Sequence, residues 1–74
     1  MDLSKIPTNS LILGERIKLV RGKRSQAEFG LLIGKQKNKV IRYEANVDTP
    51  SFLTLSKIAE IGCVTVNWLF YGSL

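Results

Sequence analysis

Glycine and proline cut this chain into pieces only a few helical turns long, and that punctuation restricts it to a small helical fold. Between Gly22, Gly34, Gly62, Gly72 and the loop Asp48-Thr49-Pro50-Ser51, apolar residues recur at helical spacing. Leu13, Ile17 and Val20 predict a first helix from Leu11 to Arg21, ended by Gly22. Ser25 with Glu28 three residues on has the spacing of a capping box. A second helix therefore starts at Ser25, presents Phe29, Leu32 and Ile33 inward, and runs to about Leu32. Gly34, where a positive φ is cheap only without a Cβ, marks a sharp turn. A third helix covers about residues 36–44 and leaves through Ala45 and Asn46, since Asn tolerates the left-handed conformation. Thr49 (with Pro50 at the first helical position) or Ser51 caps a fourth, whose apolar stripe is Leu55, Ile58, Ala59 and Ile61 and whose end is Gly62. Thr65 caps a last short helix through Trp68 to Tyr71, closed by Gly72. No strand-like alternation, hairpin signal or internal repeat competes. The expected architecture is all-α: five helices in one domain over 11–74, behind an irregular arm at 1–10.

Such a domain has little else to hold it together. The chain has 74 residues with one cysteine and no histidine, so an internal disulfide is excluded and no zinc site is expected. Hydrophobic residues at 45% suffice for a thin core. Six scattered carboxylates without a histidine equip general acid–base chemistry poorly, so the chain reads as a non-enzyme without cofactor or small-molecule substrate. No run approaches the ~18 apolar residues that would cross a bilayer, and the opening residues do not form a signal peptide. With its lone cysteine, this points to a cytoplasmic protein without a membrane partner.

Charge is distributed unevenly. From Arg16 to Arg42 there are nine basic residues and one acid, Glu28, a local charge of +8, while the remainder sums to −3. A one-sided basic field is the footprint of a polyanion site, with nucleic acid the first candidate.

The third helix lies inside that field and has two chemically distinct sides. Stepping about 100° per residue, Val40 and Tyr43 share one side and suit a core. Lys37, Asn38, Ile41 and Arg42 fall on the other within an arc of roughly 140°. That outer side has hydrogen-bonding heads and no acid, whereas ordinary surface helices mix Glu with Lys. Arg42 can fork onto guanine O6 and N7, Asn38 can pair bidentately with adenine, and Ile41 can meet a thymine methyl. Lys37 can reach a base acceptor or a phosphate.

Two short helices joined through Gly34 look like a helix-turn-helix over about residues 25–44. Ser25-Gln26-Ala27-Glu28-Phe29-Gly30, Ile33-Gly34 and Val40-Ile41-Arg42-Tyr43-Glu44 resemble the Xre-type family of lambdoid phage repressors and Cro proteins. Leu13-Gly14-Glu15-Arg16-Ile17, Pro50-Ser51, Ile58-Ala59-Glu60 and Val64-Thr65-Val66-Asn67-Trp68-Leu69 extend the resemblance over roughly residues 11–72. Departures include Gly30 where the family has Ala, and Lys35 for a valine after the turn glycine. The resemblance implies a five-helix, lambda-repressor-like DNA-binding domain: a transcriptional regulator of phage or prophage repressor type, binding double-stranded operator DNA as a homodimer. It also implies a cytoplasmic, nucleoid-associated place in a bacterial or phage-infected cell. Lys37, Asn38 and Arg42 match base-reading positions. Gln26, Gln36, Ser51 and Phe52 match positions that meet phosphate, the last two through backbone N–H groups at a helix start. Glu44 matches a structural position. Lys23, Arg24, Lys35 and Lys39 join the phosphate set on charge alone.

Two other roles fit the same fold. One is a restriction-modification controller or antitoxin-type autoregulator. The other is a protein-interaction module using Trp68, Leu69, Phe70, Tyr71 and Leu74. Trp68, Phe70, Tyr71 and Leu74 are equally candidates for a dimer contact or for core. Cys63 reads as a small buried hydrophobe near a helix end.

Overall fold

The computed structural model describes residues 12–72, and the arm expected at 1–10, with Leu11, Ser73 and Leu74, lies outside them. Five α-helices follow in order: α1 (Leu13–Arg21), α2 (Gln26–Ile33), α3 (Lys37–Glu44), α4 (Phe52–Gly62) and α5 (Val66–Tyr71). Among the described residues there is no strand.

The starts follow side-chain chemistry. Ser25 accepts from the Glu28 N–H at 3.0 Å while the Glu28 carboxylate accepts from the Ser25 N–H at 3.1 Å, a complete capping box. Ser51 caps α4 by accepting from the Thr54 N–H, which decides between the two candidates, and Thr65 caps α5 through the Trp68 N–H. Gly34 closes α2 in the left-handed region at φ 71°, and the Lys35 N–H then reaches the Gly30 carbonyl at 2.8 Å.

Each helix sends a stripe into one core. Ile17, Phe29, Ile33, Val40, Ile58 and Leu69 are at most 1% exposed. The α1 helix packs on α3, α4 and α5, while α2 and α3 pack on each other. The start of α1 sits directly on the end of α3: a Cβ on Gly14 would lie 2.5 Å from the Glu44 carbonyl oxygen and 2.6 Å from that of Tyr43. There the Gly14 N–H donates to Asn46 Oδ1 at 2.9 Å, and Asn46 takes the expected positive φ.

Several expectations need correction. Leu32 is 54% exposed rather than inward, because α2 is covered by α3 on one side and by little on the other; Phe29 and Ile33 fill its contact. The α4 helix runs through Gly62, and the left-handed turn falls to Cys63 at φ 54°. Gly62 answers a packing demand instead: a Cβ there would stand 2.8 Å from Val20 Cγ2. Cys63 is exposed, not buried, because its place just past the helix end turns its side chain away from the core. Trp68 is 1% exposed and belongs to the core, as does Leu69, so neither is available to a partner. Arg16, counted in the basic field, is buried: its Nη1 donates to the Leu69 and Phe70 carbonyls, both at 2.9 Å, and so caps the end of α5 from inside.

Candidate nucleic-acid interface

The α3 helix places its two sides as its periodicity requires. Val40 and Tyr43 are buried at 0% and 3% exposure, and Lys37, Asn38, Ile41 and Arg42 all face outward. The structure thus brings the four candidate base-reading residues onto one exposed surface. Gln36 is the N-cap of α3 and is itself exposed.

What anchors this helix is a polar junction. Glu44, at the last position of α3, has a largely buried side chain. Its Oε2 accepts from Arg21 Nε at 2.7 Å, and its Oε1 accepts from Arg21 Nη2 and Gln26 Nε2, both at 3.2 Å. One carboxylate therefore ties the end of α1 and the start of α2 to α3, the structural role expected of Glu44. Arg21, like Arg16, is consequently part of the scaffold. Gln26 keeps its second amide hydrogen for another acceptor.

The remaining phosphate candidates lie around this helix-turn-helix. Lys23, Arg24 and Lys35 are exposed in the turns before and after α2. Arg24 Nη1 leans on the Val20 and Arg21 carbonyls at 3.4 and 3.3 Å. Ser51 commits its hydroxyl to Thr54, leaving backbone N–H groups as what the start of α4 can offer. Phe52, the first residue of α4, is 74% exposed.

Sequence reasoning missed one member of the site. The outer side of α3 carries no acid of its own, but Asp48 from the following segment reaches it. Asp48 Oδ2 accepts from Arg42 Nε at 2.7 Å and from Lys39 Nζ at 2.9 Å, and Oδ1 accepts from Arg42 Nη2 at 3.2 Å. These bonds, that of Arg42 foremost, hold the Asp48 carboxyl well below its ordinary value and raise Arg42 above its own. The Lys39 ammonium also lies over the Tyr43 ring, 5.7 Å from its centre. The only signal available was an acid six residues beyond Arg42, across a helix end.

Phe70 and Tyr71 are exposed at the end of α5, and Leu74 lies outside the described residues. Among the described residues no group of three or more His, Cys, Asp and Glu converges on a metal position, and no helix is long and apolar enough to cross a membrane.

No protein-family model matches this chain, and no curated protein sequence does. Solved structures do. The chain is similar to the P22 c2 repressor protein in its crystal with synthetic operator 9T, with a TM-score of 0.78 and 23% identity over 84% of this chain and 97% of that one. It is also similar to the solution structure of the P22 c2 repressor DNA-binding domain, with a TM-score of 0.76 and 24% identity over 86% of this chain and 87% of that one. The likeness establishes the fold: an all-α, five-helix, lambda-repressor-like domain with a helix-turn-helix, as expected from the residues.

Proposed function

We propose that this chain is a sequence-specific double-stranded DNA-binding transcriptional regulator of phage or prophage repressor type, reading the major groove with α3. The observation that carries this reading is the outward set Lys37, Asn38, Ile41 and Arg42, backed by buried Val40 and Tyr43, on a fold shared with a repressor crystallised on its operator. The α3 helix enters the groove; Asn38 and Arg42 pair with base edges, Ile41 meets a thymine methyl, and Lys37 reaches a base or a nearby phosphate. Lys23, Arg24, Gln26, Lys35, Gln36 and Lys39 set the register on the phosphates, with backbone N–H groups at Ser51 and Phe52. Two copies bind a two-fold operator, with Phe70 and Tyr71 on the surface where the second copy sits. The protein is a cytoplasmic, nucleoid-associated member of the Xre type and performs no catalysis.

Selection from random duplex DNA with the purified chain tests this. The expected product is an enriched motif with two-fold symmetry. Arg42→Ala or Asn38→Ala then relaxes preference at one position of the half-site, at a cost of about 1–3 kcal/mol there. Failure to enrich any motif at low salt refutes the reading.

A further inference from the structure

Arg42 stands on the exposed side of α3, yet its guanidinium is already engaged along one edge. Asp48 accepts from Nε with one carboxylate oxygen and from Nη2 with the other, at 2.7 and 3.2 Å. The backbone builds this clamp. Asn46 turns the chain at φ 61°, and the Val47 and Asp48 N–H groups both donate to the Arg42 carbonyl, at 3.0 and 3.3 Å. The residue whose side chain is clamped thus also anchors, by its main chain, the segment that clamps it.

A guanidinium offers two bidentate edges: a side edge of Nε–H with one Nη–H, and an end edge formed by the two Nη groups. Asp48 covers the side edge, and the end edge matches the O6 and N7 acceptors of guanine. Clamping also restricts the rotamers through which an arginine wanders onto phosphates, so less order is lost when it docks on a base. Lys39 adds a second cation to the same carboxylate, so the cluster of three keeps a net positive charge beside the DNA backbone. It gives Asp48 one of its three hydrogens and keeps the others for a phosphate.

We infer that Asp48 is a specificity-determining residue of this interface: it positions Arg42 end-on for one guanine and keeps it off the phosphates. The inference rests on α3 being the helix that reads the major groove. Asp48 acts through Arg42 and touches no base itself.

The test uses the full chain as wild type, Asp48→Ala, Asp48→Asn, Arg42→Ala and the Arg42→Ala/Asp48→Ala double variant. Each is titrated against the selected duplex, against duplexes altered at the base pair where Arg42→Ala relaxes preference, and against a scrambled duplex, at several salt concentrations. Asp48→Ala is expected to lower the preference for guanine at that pair on the order of tenfold. It should also raise scrambled-duplex affinity several-fold and steepen the log–log salt slope by about one, as the released arginine finds a phosphate. Asp48→Asn, which keeps the shape but loses the charge and one acceptor, falls between. In the Arg42→Ala background Asp48→Ala leaves base preference unchanged. Preference is a ratio measured on one protein sample, so a reduced folded fraction cancels. An unchanged guanine preference in Asp48→Ala, beside its loss in Arg42→Ala, overturns the inference and leaves the reading of α3 intact. An equal change with and without Arg42 overturns it by showing that Asp48 acts on DNA directly. If Arg42→Ala alters no base position, the reading of α3 fails and takes the inference with it.

Discussion

Gly30→Ala sets two physical effects of opposite sign against each other. Position 30 is inside α2, where replacing Gly by Ala favours the helix by about 1 kcal/mol through backbone entropy. With nothing in the way, that would raise the melting temperature by roughly 4–8 °C for a domain of this size. However, a Cβ at Gly30 would stand 2.4 Å from the Lys35 carbonyl oxygen. Ordinary carbon–oxygen contacts are about 3.3–3.6 Å, so one backbone must retreat by roughly 0.9 Å. Neither can do so freely. The Lys35 N–H is bonded back to the Gly30 carbonyl at 2.8 Å, and Gln36, which begins α3, follows immediately. Pushing a backbone out of a packed contact of this kind costs about 1–3 kcal/mol, here toward the upper end because no flexible side-chain tip can absorb the shift. The net expectation is a loss of about 1–2 kcal/mol and a melting temperature lower by roughly 5–15 °C. Thermal unfolding followed by circular dichroism at 222 nm reads it directly. A melting temperature that rises would show that the α2–α3 turn yields freely and that the close approach is no constraint on the fold.

Two further outcomes concern the stability of the fold rather than DNA binding. Arg16→Met keeps the aliphatic stem but leaves the Leu69 and Phe70 carbonyls without their charged donor, so the urea midpoint should fall by an amount equivalent to about 2–3 kcal/mol at unchanged slope; an unmoved midpoint would mean those carbonyls find other partners. In acid, Asp48 contributes stability that is complete above its ordinary pKa of 3.8 and is lost as pH falls toward its depressed folded value, so melts between pH 5 and pH 2 should drop less steeply in Asp48→Asn than in wild type, and parallel curves would contradict the clamp.

The parts of this fold that could be read in advance are those whose physics is local. A capping box closes within three residues, so Ser25 and Glu28 announce α2 without knowledge of anything else. The two sides of α3 follow from its own period, which is why Val40 and Tyr43 could be separated from Lys37, Asn38, Ile41 and Arg42 before any neighbour was known. The misreadings are contacts between distant segments. Gly62 has the same sequence signature as a helix terminator, and only the approach of Val20 from α1 shows that it meets a packing demand. Leu32 is apolar at a helical position beside Ile33, yet it stays half-exposed. Trp68 suits a core and a contact surface equally until α5 is placed.

The same division applies to charge, and there it changes how the site should be understood. A count along the chain treats the basic residues from Arg16 to Arg42 alike, but the fold sorts them into different jobs. Arg16 satisfies carbonyls in the interior, Arg21 joins three helices through Glu44, and Arg42 is held by an acid that arrives from beyond the helix end. Of those nine, the cations left for a polyanion are therefore fewer than the sequence suggests: Lys18, Lys23, Arg24, Lys35 and Lys37, with Lys39 sharing its charge. In the proposed reading, a smaller unspecific attraction, combined with an arginine restrained by Asp48, would shift the balance from phosphate affinity toward base discrimination. A basic surface assembled from unrestrained lysines would bind any duplex. In the reading proposed above, this one would give up part of that attraction to hold a single guanidinium in one orientation, which is what a reader of sequence requires and a generic polyanion binder does not.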